Sequence, residues 1–368
     1  MRIVFPNYEE SLLNLTCSIA KYFEIEYHHS TLKEIDDLLE EKKYQNVVVL
    51  LYDGLGSNIL QRMLPADSFL VQHKKRDLVA VFPATTTAVT VTMMSGLAPI
   101  EHGWLGWDLY FKAINRTVSL FPNTIKDSDV KAADTSVAQK YLPYQSILSK
   151  INEKGQYQAH EFFPFGPNQY DSLDDLNLRI KKLCQTAGKK YLYGYYNNPD
   201  TLMHLTGTNS AETIKNIELL NLKTEELCSD LKDTLVIVVA DHGHLNSSYA
   251  TLSDYPELFK TIKQETAIEP RACAFYIKEG MEETFALEFN RLFQKDFLLL
   301  TKEEVINQKL FGEGIENPLF NESLGDYLAI ATSNLYFRYS NKSHIFKSMH
   351  AGLTEDEMII PLIVIDKK

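Results

Sequence analysis

The sequence predicts an α/β fold, a mainly parallel sheet sandwiched by helices and carrying a small α+β insertion. Three observations support it. Short, continuously apolar and β-branched runs such as NVVVLLYD (46–53) and TLVIVVA (234–240) are too short for helices and read as strands buried on both faces. Helix-length segments separate these runs, as in βαβ units. Several runs stop at acidic or histidine-bearing turns, and the carboxyl ends of strands are where an open α/β sheet places ligand chemistry.

Taken in order, residues 7–23 place Leu12, Leu13, Leu15, Ile19 and Tyr22 at helical spacing. A second, acidic helix opens at Ser30 or Thr31, with Glu34 placed for a capping box, and runs to Lys42. The strand at 46–53 stops at Asp53, ahead of Gly54-Leu55-Gly56 and a short helix. A strand at 77–82 breaks at Pro83 and leads through Thr85, Thr86 and Thr87 into a buried helix ending at Ser95-Gly96. A helix over 144–154 ends at Gly155 and feeds a strand at 156–162. Another, over 172–187, opens at Ser172 with Asp175 three residues on. The strand at 190–196 runs out into Asn197-Asn198-Pro199-Asp200. A long helix over 210–231 precedes the strand at 234–240 and the turn Asp241-His242-Gly243-His244.

Beyond about residue 246 the texture changes. Short strands at 271–277, 296–300, 326–332 and 335–339 surround helices near 282–293 and 302–309. The final run, 358–366, returns to the buried-strand pattern and is expected to rejoin the main sheet. The expected organisation is a catalytic α/β domain over 1–250 and 340–368, with an inserted α+β cap over 251–339.

With 368 residues, 45% apolar and 23% charged, the chain has the makeup of a soluble globular protein with a large core. Its net charge of −12, from 37 basic and 49 acidic side chains, argues against a general binder of nucleic acid or anionic membrane. A small anionic substrate stays admissible if metals supply local positive charge. Cys17, Cys184, Cys228 and Cys273 form no C-x-x-C pair and read as free thiols in a reducing compartment. The amino terminus lacks a signal-peptide pattern and no apolar run approaches the ~20 residues of a membrane span, so a cytoplasmic protein is expected.

Asp53, a threonine among 85–87, Asp200, His204, Asp241, His242 and His350 all fall at strand exits or in loops. Singly, each has a plain explanation. A threonine caps a helix, Asp53 before glycine makes a turn, Asp200 caps a helix, Asp241-His242-Gly243 is a tight turn, and His350 lies on the surface. Together, three carboxylates and three imidazoles form the mixed oxygen and nitrogen set that zinc or manganese uses. Six ligands suit two divalent ions with three each, and two ions ~3.5–4 Å apart can clamp both the attacking and the leaving oxygen of a phosphoryl displacement.

Five segments, VVLLYDGLG, FPATTTAVTVTMMSGLAPIEHG, NNPDTLMH, VIVVADHGH and MHAGLTEDEMIIPLIV, resemble in order the motif set of the alkaline phosphatase superfamily. Within it they resemble the type I phosphodiesterase/nucleotide pyrophosphatase family, and the likeness covers nearly the whole chain. It implies an alkaline-phosphatase-like fold. It also implies hydrolysis of phosphodiester or nucleotide pyrophosphate bonds through a phosphothreonine intermediate on two divalent ions, Zn2+ foremost and Mn2+ as the alternative. The family's spacing from its phenylalanine-proline pair puts the nucleophile on Thr86, with Thr85 as the register alternative. One ion would be held by Asp200, His204 and His350, the other by Asp53, Asp241 and His242 together with the Thr86 oxygen.

The sequence departs from that pattern at two places. Val89 stands where diesterases often carry asparagine, and Thr85 where a lysine often precedes the nucleophile. Trp104 and Trp107 are candidates to line a pocket for a base or other flat leaving group, with buried packing as the alternative. Arg271 is a candidate to reach substrate from the insertion, while His102 and His244 are expected to support or pack. No arginine lies in the five segments, which favours diesters over the more highly charged monoesters. The expected partner is a small phosphate-ester or nucleotide substrate, not a nucleic-acid polymer or a membrane, and a homodimer is left open. A phosphomonoesterase or phosphonate hydrolase of the superfamily, and a non-catalytic metal- or nucleotide-binding relative, are the alternative functions.

Overall fold

The apolar runs pair into a six-stranded sheet. Its order is Lys74–Val79, Ile359–Lys367, Thr234–Val239, Asn46–Tyr52, Lys190–Tyr196, Gln158–Phe162 in a computed structural model that describes residues 1–368. Ile359–Lys367 is antiparallel to both neighbours and the other five strands run one way. The final run therefore rejoins the main sheet, as expected, but inside it. Every residue of Asn46–Tyr52 and of Thr234–Val239 is buried, which explains why these strands read as unbroken apolar runs rather than alternating ones. The flanking helix Leu173–Cys184 buries one apolar stripe of Leu173, Leu176, Ile180 and Cys184. Its N-cap Ser172 accepts a hydrogen bond from the Asp175 amide at 3.2 Å, the local signal read from the sequence.

A second, antiparallel sheet of seven strands has the order Phe297–Thr301, Tyr327–Ala331, Ala272–Phe275, Ala267–Ile268, Asp108–Phe111, Arg116–Ser119, Thr124–Ile125. Residues 108–125 thus share this sheet with the segment expected to be a self-contained insertion over 251–339. The pairing of Ile268 with Asp108 makes the join, and no local pattern in either stretch announces it. Helix Glu282–Phe293 covers the far end, stacking Phe285, Phe289 and Phe293 on successive turns against Phe275, Phe297 and Phe337 in a separate small core.

Two local expectations differ from the structure. The acidic helix spans Lys33–Lys42, and no capping box forms with Glu34; the Thr31 hydroxyl instead donates to Asp36 at 2.8 Å. The strand before the threonines spans Lys74–Val79, not 77–82. It pairs along Ile359–Lys367, and that partner selects residues whose own pattern is mixed. No helix is long and apolar enough to cross a membrane. All four cysteines are buried and free.

Candidate active site

The carboxyl ends of the central parallel strands bring the acids together. Asp53 follows Asn46–Tyr52, Asp241 follows Thr234–Val239 by one residue, and Asp200 starts the short helix after Lys190–Tyr196. Backbone bonds set their spacing, with the Asp53 amide donating to the Tyr196 carbonyl at 3.0 Å and the Asp200 amide to the Asp53 carbonyl at 2.9 Å. Two glycines allow the turns to touch. Gly54 has φ +77°, and a Cβ there would lie 3.0 Å from the Asp200 Cα; a Cβ on Gly56 would strike the Gly243 backbone.

Two clusters result, each with its potential ligand atoms within 4.8 Å of one another. The first joins Asp53, Asp241 and His242, all buried. His242 Nε2 lies 3.3 Å from Asp53 Oδ1 and 3.4 Å from Asp241 Oδ2. The second joins Asp200, His204, His244 and His350. From Asp200 Oδ1 the Nε2 atoms of His244, His204 and His350 lie 2.6, 3.3 and 3.8 Å away. The His242 and His350 rings stack with centroids 3.7 Å apart, so the clusters adjoin.

The donor chemistry suits divalent cations. His204, His242 and His350 each direct Nδ1 at a backbone carbonyl, those of Ser348, Gly243 and Ala84, at 2.9–3.0 Å. Donation there places the proton on Nδ1 and leaves the Nε2 lone pair facing the carboxylates. Lone pairs and carboxylates facing one another repel unless a cation lies between them. Asp241 Oδ2 is buried and accepts no hydrogen bond, a further position that a cation would satisfy.

The titration behaviour reflects the same crowding. Burial, and after it the Asp200 charge, raise Asp53 well above the usual carboxylate range. Burial and then Asp53 do the same to Asp241. Burial also opposes ionisation of Asp200, but His204 and His244 outweigh it and hold that carboxyl well below its usual range. Burial pushes the His244 imidazole down to about 3. His350 is likewise held well below its ordinary value, by burial and then by His242.

The threonines sit beside the first cluster. Helix Thr86–Ser95 is buried throughout, as expected for a run without a polar face. The Thr86 hydroxyl lies 3.3 Å from Asp53 Oδ2 and 3.4 Å from His242 Nε2. Thr85, the N-cap by position, turns its hydroxyl away to Glu269 at 2.6 Å, so the helix starts with no side-chain cap.

The remaining sequence candidates separate. Trp107 is 40% exposed and packs edge-on to Phe121, whereas Trp104 is buried and its Nε1 donates to the Leu142 carbonyl at 2.9 Å. His102 is buried between Thr92 and the Trp104 amide, in a packing position. Arg271, expected to reach substrate, does not line the site. It is wholly buried in a two-pronged ion pair with Glu357 at 2.7 and 2.8 Å, because an interior guanidinium needs a matching partner. Tyr195 and Glu269 escaped the sequence reading, and His244 was expected only to support or pack. His244 joins the Asp200 cluster, a place the repeated histidine of Asp241-His242-Gly243-His244 could have signalled. The Tyr195 hydroxyl donates to Asp53 Oδ2 from inside an apolar strand, and Glu269 reaches in from the second sheet; nothing local marks either.

Comparison with known proteins bears on the family and the fold. The family model for type I phosphodiesterase/nucleotide pyrophosphatase matches residues 47–352. No curated protein is matched by the sequence. Among solved structures, murine ectonucleotide pyrophosphatase/phosphodiesterase 5 is similar in fold, with a TM-score of 0.66 at 18% identity over 86% of this chain and 87% of that one. An inactive variant of the murine protein in complex with AMP gives the same values. The human protein of the same name gives a TM-score of 0.64 at 15% identity, with 86% and 87% covered. The family match spans most of the sequence and contains both clusters and the threonine helix, and the chain accordingly belongs to the type I phosphodiesterase/nucleotide pyrophosphatase family.

Proposed function

We propose that the chain is a metal-dependent hydrolase of phosphodiester or nucleotide pyrophosphate bonds, working through a phosphothreonine on Thr86. One observation carries the reading: at the uncapped start of a buried helix the Thr86 hydroxyl adjoins the Asp53, Asp241 and His242 cluster, whose His242 ring stacks on His350 of the second. Asp53, Asp241 and His242 would hold one divalent ion, and Asp200, His204 and His350 the other. Zinc suits a set this rich in imidazole, and manganese is the alternative.

A threonine alcohol is a weak nucleophile until a neighbour activates it. When bound, the ions would lower the pKa of that alcohol and neutralise charge on the attacking and leaving oxygens. Asp53 and His242 orient the Thr86 oxygen, and the free first-turn amides of Thr86–Ser95 can receive phosphoryl oxygens. Attack by Thr86 Oγ1 on phosphorus breaks the bond to the leaving oxygen and forms phosphothreonine. Water then cleaves the phosphothreonine from the opposite side and regenerates the alcohol. Two in-line steps retain configuration at phosphorus.

The exposed rings of Trp107, Phe121 and Phe165 form a wall on the substrate side. Their centroids are 5.9 and 6.4 Å apart in sequence around the wall, and Phe165 and Phe163 continue it to Tyr195 beside Asp53. A flat leaving group such as a base fits that surface. Asp53, Asp200 and Asp241 pair with histidines and with no lysine or arginine, which favours diesters over monoesters. The four buried thiols fit a reducing, cytoplasmic setting.

Thr86→Ala should abolish turnover while two ions remain bound, measured by rate and by metal count on the same sample. A near wild-type rate would remove Thr86 from the chemistry. Comparing bis-p-nitrophenyl phosphate, p-nitrophenyl phosphate and a nucleotide p-nitrophenyl ester, with zinc and then manganese, tests the substrate class. Preference for the monoester would overturn it.

A further inference from the structure

Glu269 belongs to none of the five motif segments, yet it touches the start of the threonine helix. It sits at the turn between Ala267–Ile268 and Ala272–Phe275, closed by reciprocal backbone bonds between Glu269 and Ala272 at 3.0 and 3.2 Å. Arg271 in that turn is locked to Glu357, which also accepts the Gly352 amide at 2.6 Å beside His350. The residue before Glu269, Ile268, has φ +71°, a left-handed conformation that a β-branched side chain adopts only where its surroundings compel it. Gly106 makes room for it, since a Cβ there would lie 2.6 Å from the Ile268 carbonyl oxygen.

This built turn delivers one carboxyl to a particular place. Oε1 of Glu269 accepts from the Thr85 hydroxyl at 2.6 Å and from the Trp107 amide at 2.7 Å. Its carboxyl therefore sits between the residue preceding Thr86 and the aromatic wall. By taking the Thr85 hydroxyl it leaves the helix uncapped. The residue preceding Thr86 is thus bonded to an acid, and the only ionisable side chain it touches is a carboxyl.

We propose that Glu269 is a specificity-determining residue. Its negative charge, held at the residue before Thr86, selects singly charged phosphodiesters against doubly charged monoesters, and hastens loss of the dianionic product. This rests on the phosphodiesterase reading above. Hydrolysis of a diester turns a monoanion into a dianion, so one fixed charge serves both entry and release. Burial pushes the carboxyl up to about 7, while Thr85, Trp107 and His242 act in the other direction. Assays belong at pH 8.5, where it is ionised.

The test uses the full chain loaded with zinc. Glu269→Gln keeps an acceptor for Thr85 and Trp107 and removes the charge. The ratio of kcat/KM for p-nitrophenyl phosphate to that for bis-p-nitrophenyl phosphate should rise about tenfold or more, as expected for one like charge several ångströms away at an effective dielectric of about 20. Inorganic phosphate should inhibit the variant at a similarly lower concentration, while Glu269→Asp keeps a ratio close to wild type. A ratio and a phosphate inhibition that both stay within threefold of wild type overturn the proposal. Equal loss on both esters does the same, since it indicates a purely structural role. If wild type cleaves neither ester, the phosphodiesterase reading fails. Calorimetric titration of inorganic phosphate into zinc-loaded wild type and Glu269→Gln then decides the charge question alone, and equal affinities overturn it.

Discussion

Replacing Arg271 by leucine separates a structural role from a substrate-binding one. Both Arg271 and Glu357 are fully buried, and the guanidinium also donates to the carbonyls of Leu335 and Ser333 at 2.7 Å. Glu357 in turn accepts from the Gly352 amide, the Thr354 amide and the Thr354 hydroxyl, at 2.6, 3.2 and 2.6 Å. Removing the arginine strands a charge in the interior, and breaking such a pair costs about 3–5 kcal/mol. With an unfolding entropy of about 2.1 cal/mol/K per residue over this chain, that loss lowers Tm by roughly 5 °C. Adding Glu357→Gln removes the stranded charge, so the double variant should be less destabilised than the sum of the single variants, by about 1–3 kcal/mol. Urea unfolding of the metal-free protein measures each corner of the cycle. Because Ala351 between His350 and Gly352 has φ +85° and Glu357 holds Gly352, zinc affinity should fall with stability in Arg271→Leu. If the variant kept its stability within about 1 kcal/mol and only raised KM, the buried-pair account would be refuted and a substrate contact restored.

Other expectations follow from the same geometry. Chelation should lower Tm and readdition of zinc restore it; each site held at a thousandfold over its Kd adds about 4 kcal/mol, readable by calorimetry. Asp241→Asn should bring the metal count down to one per chain, whereas two retained ions would argue against the first cluster as a ligand set. Trp107→Ala should raise KM for aromatic esters by about 1–3 kcal/mol in binding and leave methyl esters little changed. Trp104→Phe, by contrast, should cost about 1 kcal/mol of stability through the Leu142 hydrogen bond, with KM held. Glu269 has a folded pKa raised from 4.5 to about 7, so the stability it contributes is complete below pH 4.5 and is lost as pH rises through 7. Metal-free Glu269→Gln should therefore gain on wild type across that window, by up to about 3 kcal/mol above it, and match it below; melting curves from pH 4 to 8.5 check the sign.

The sequence by itself determined the main sheet, because strands buried on both faces must be apolar throughout and their carboxyl-end turns can carry acids. Asp53, Asp200 and Asp241 were legible for that reason, and so was the buried helix of Thr86. Short-range chemistry was less reliable where a distant partner competed. Thr31 bonds Asp36 rather than capping with Glu34, and Lys74–Val79 takes its register from Ile359–Lys367. Only the tertiary structure decided which charges are matched. Arg271 looks like a free cation in the sequence, but burial commits it to Glu357, 86 residues away. It also decided which of two adjacent threonine hydroxyls faces the clusters, since Glu269, 184 residues from Thr85, draws that side chain aside. Local patterns record whether a side chain is apolar or polar. The partner that satisfies a buried polar group comes from wherever the chain folds back, and neither its distance nor its direction is written in the residues nearby.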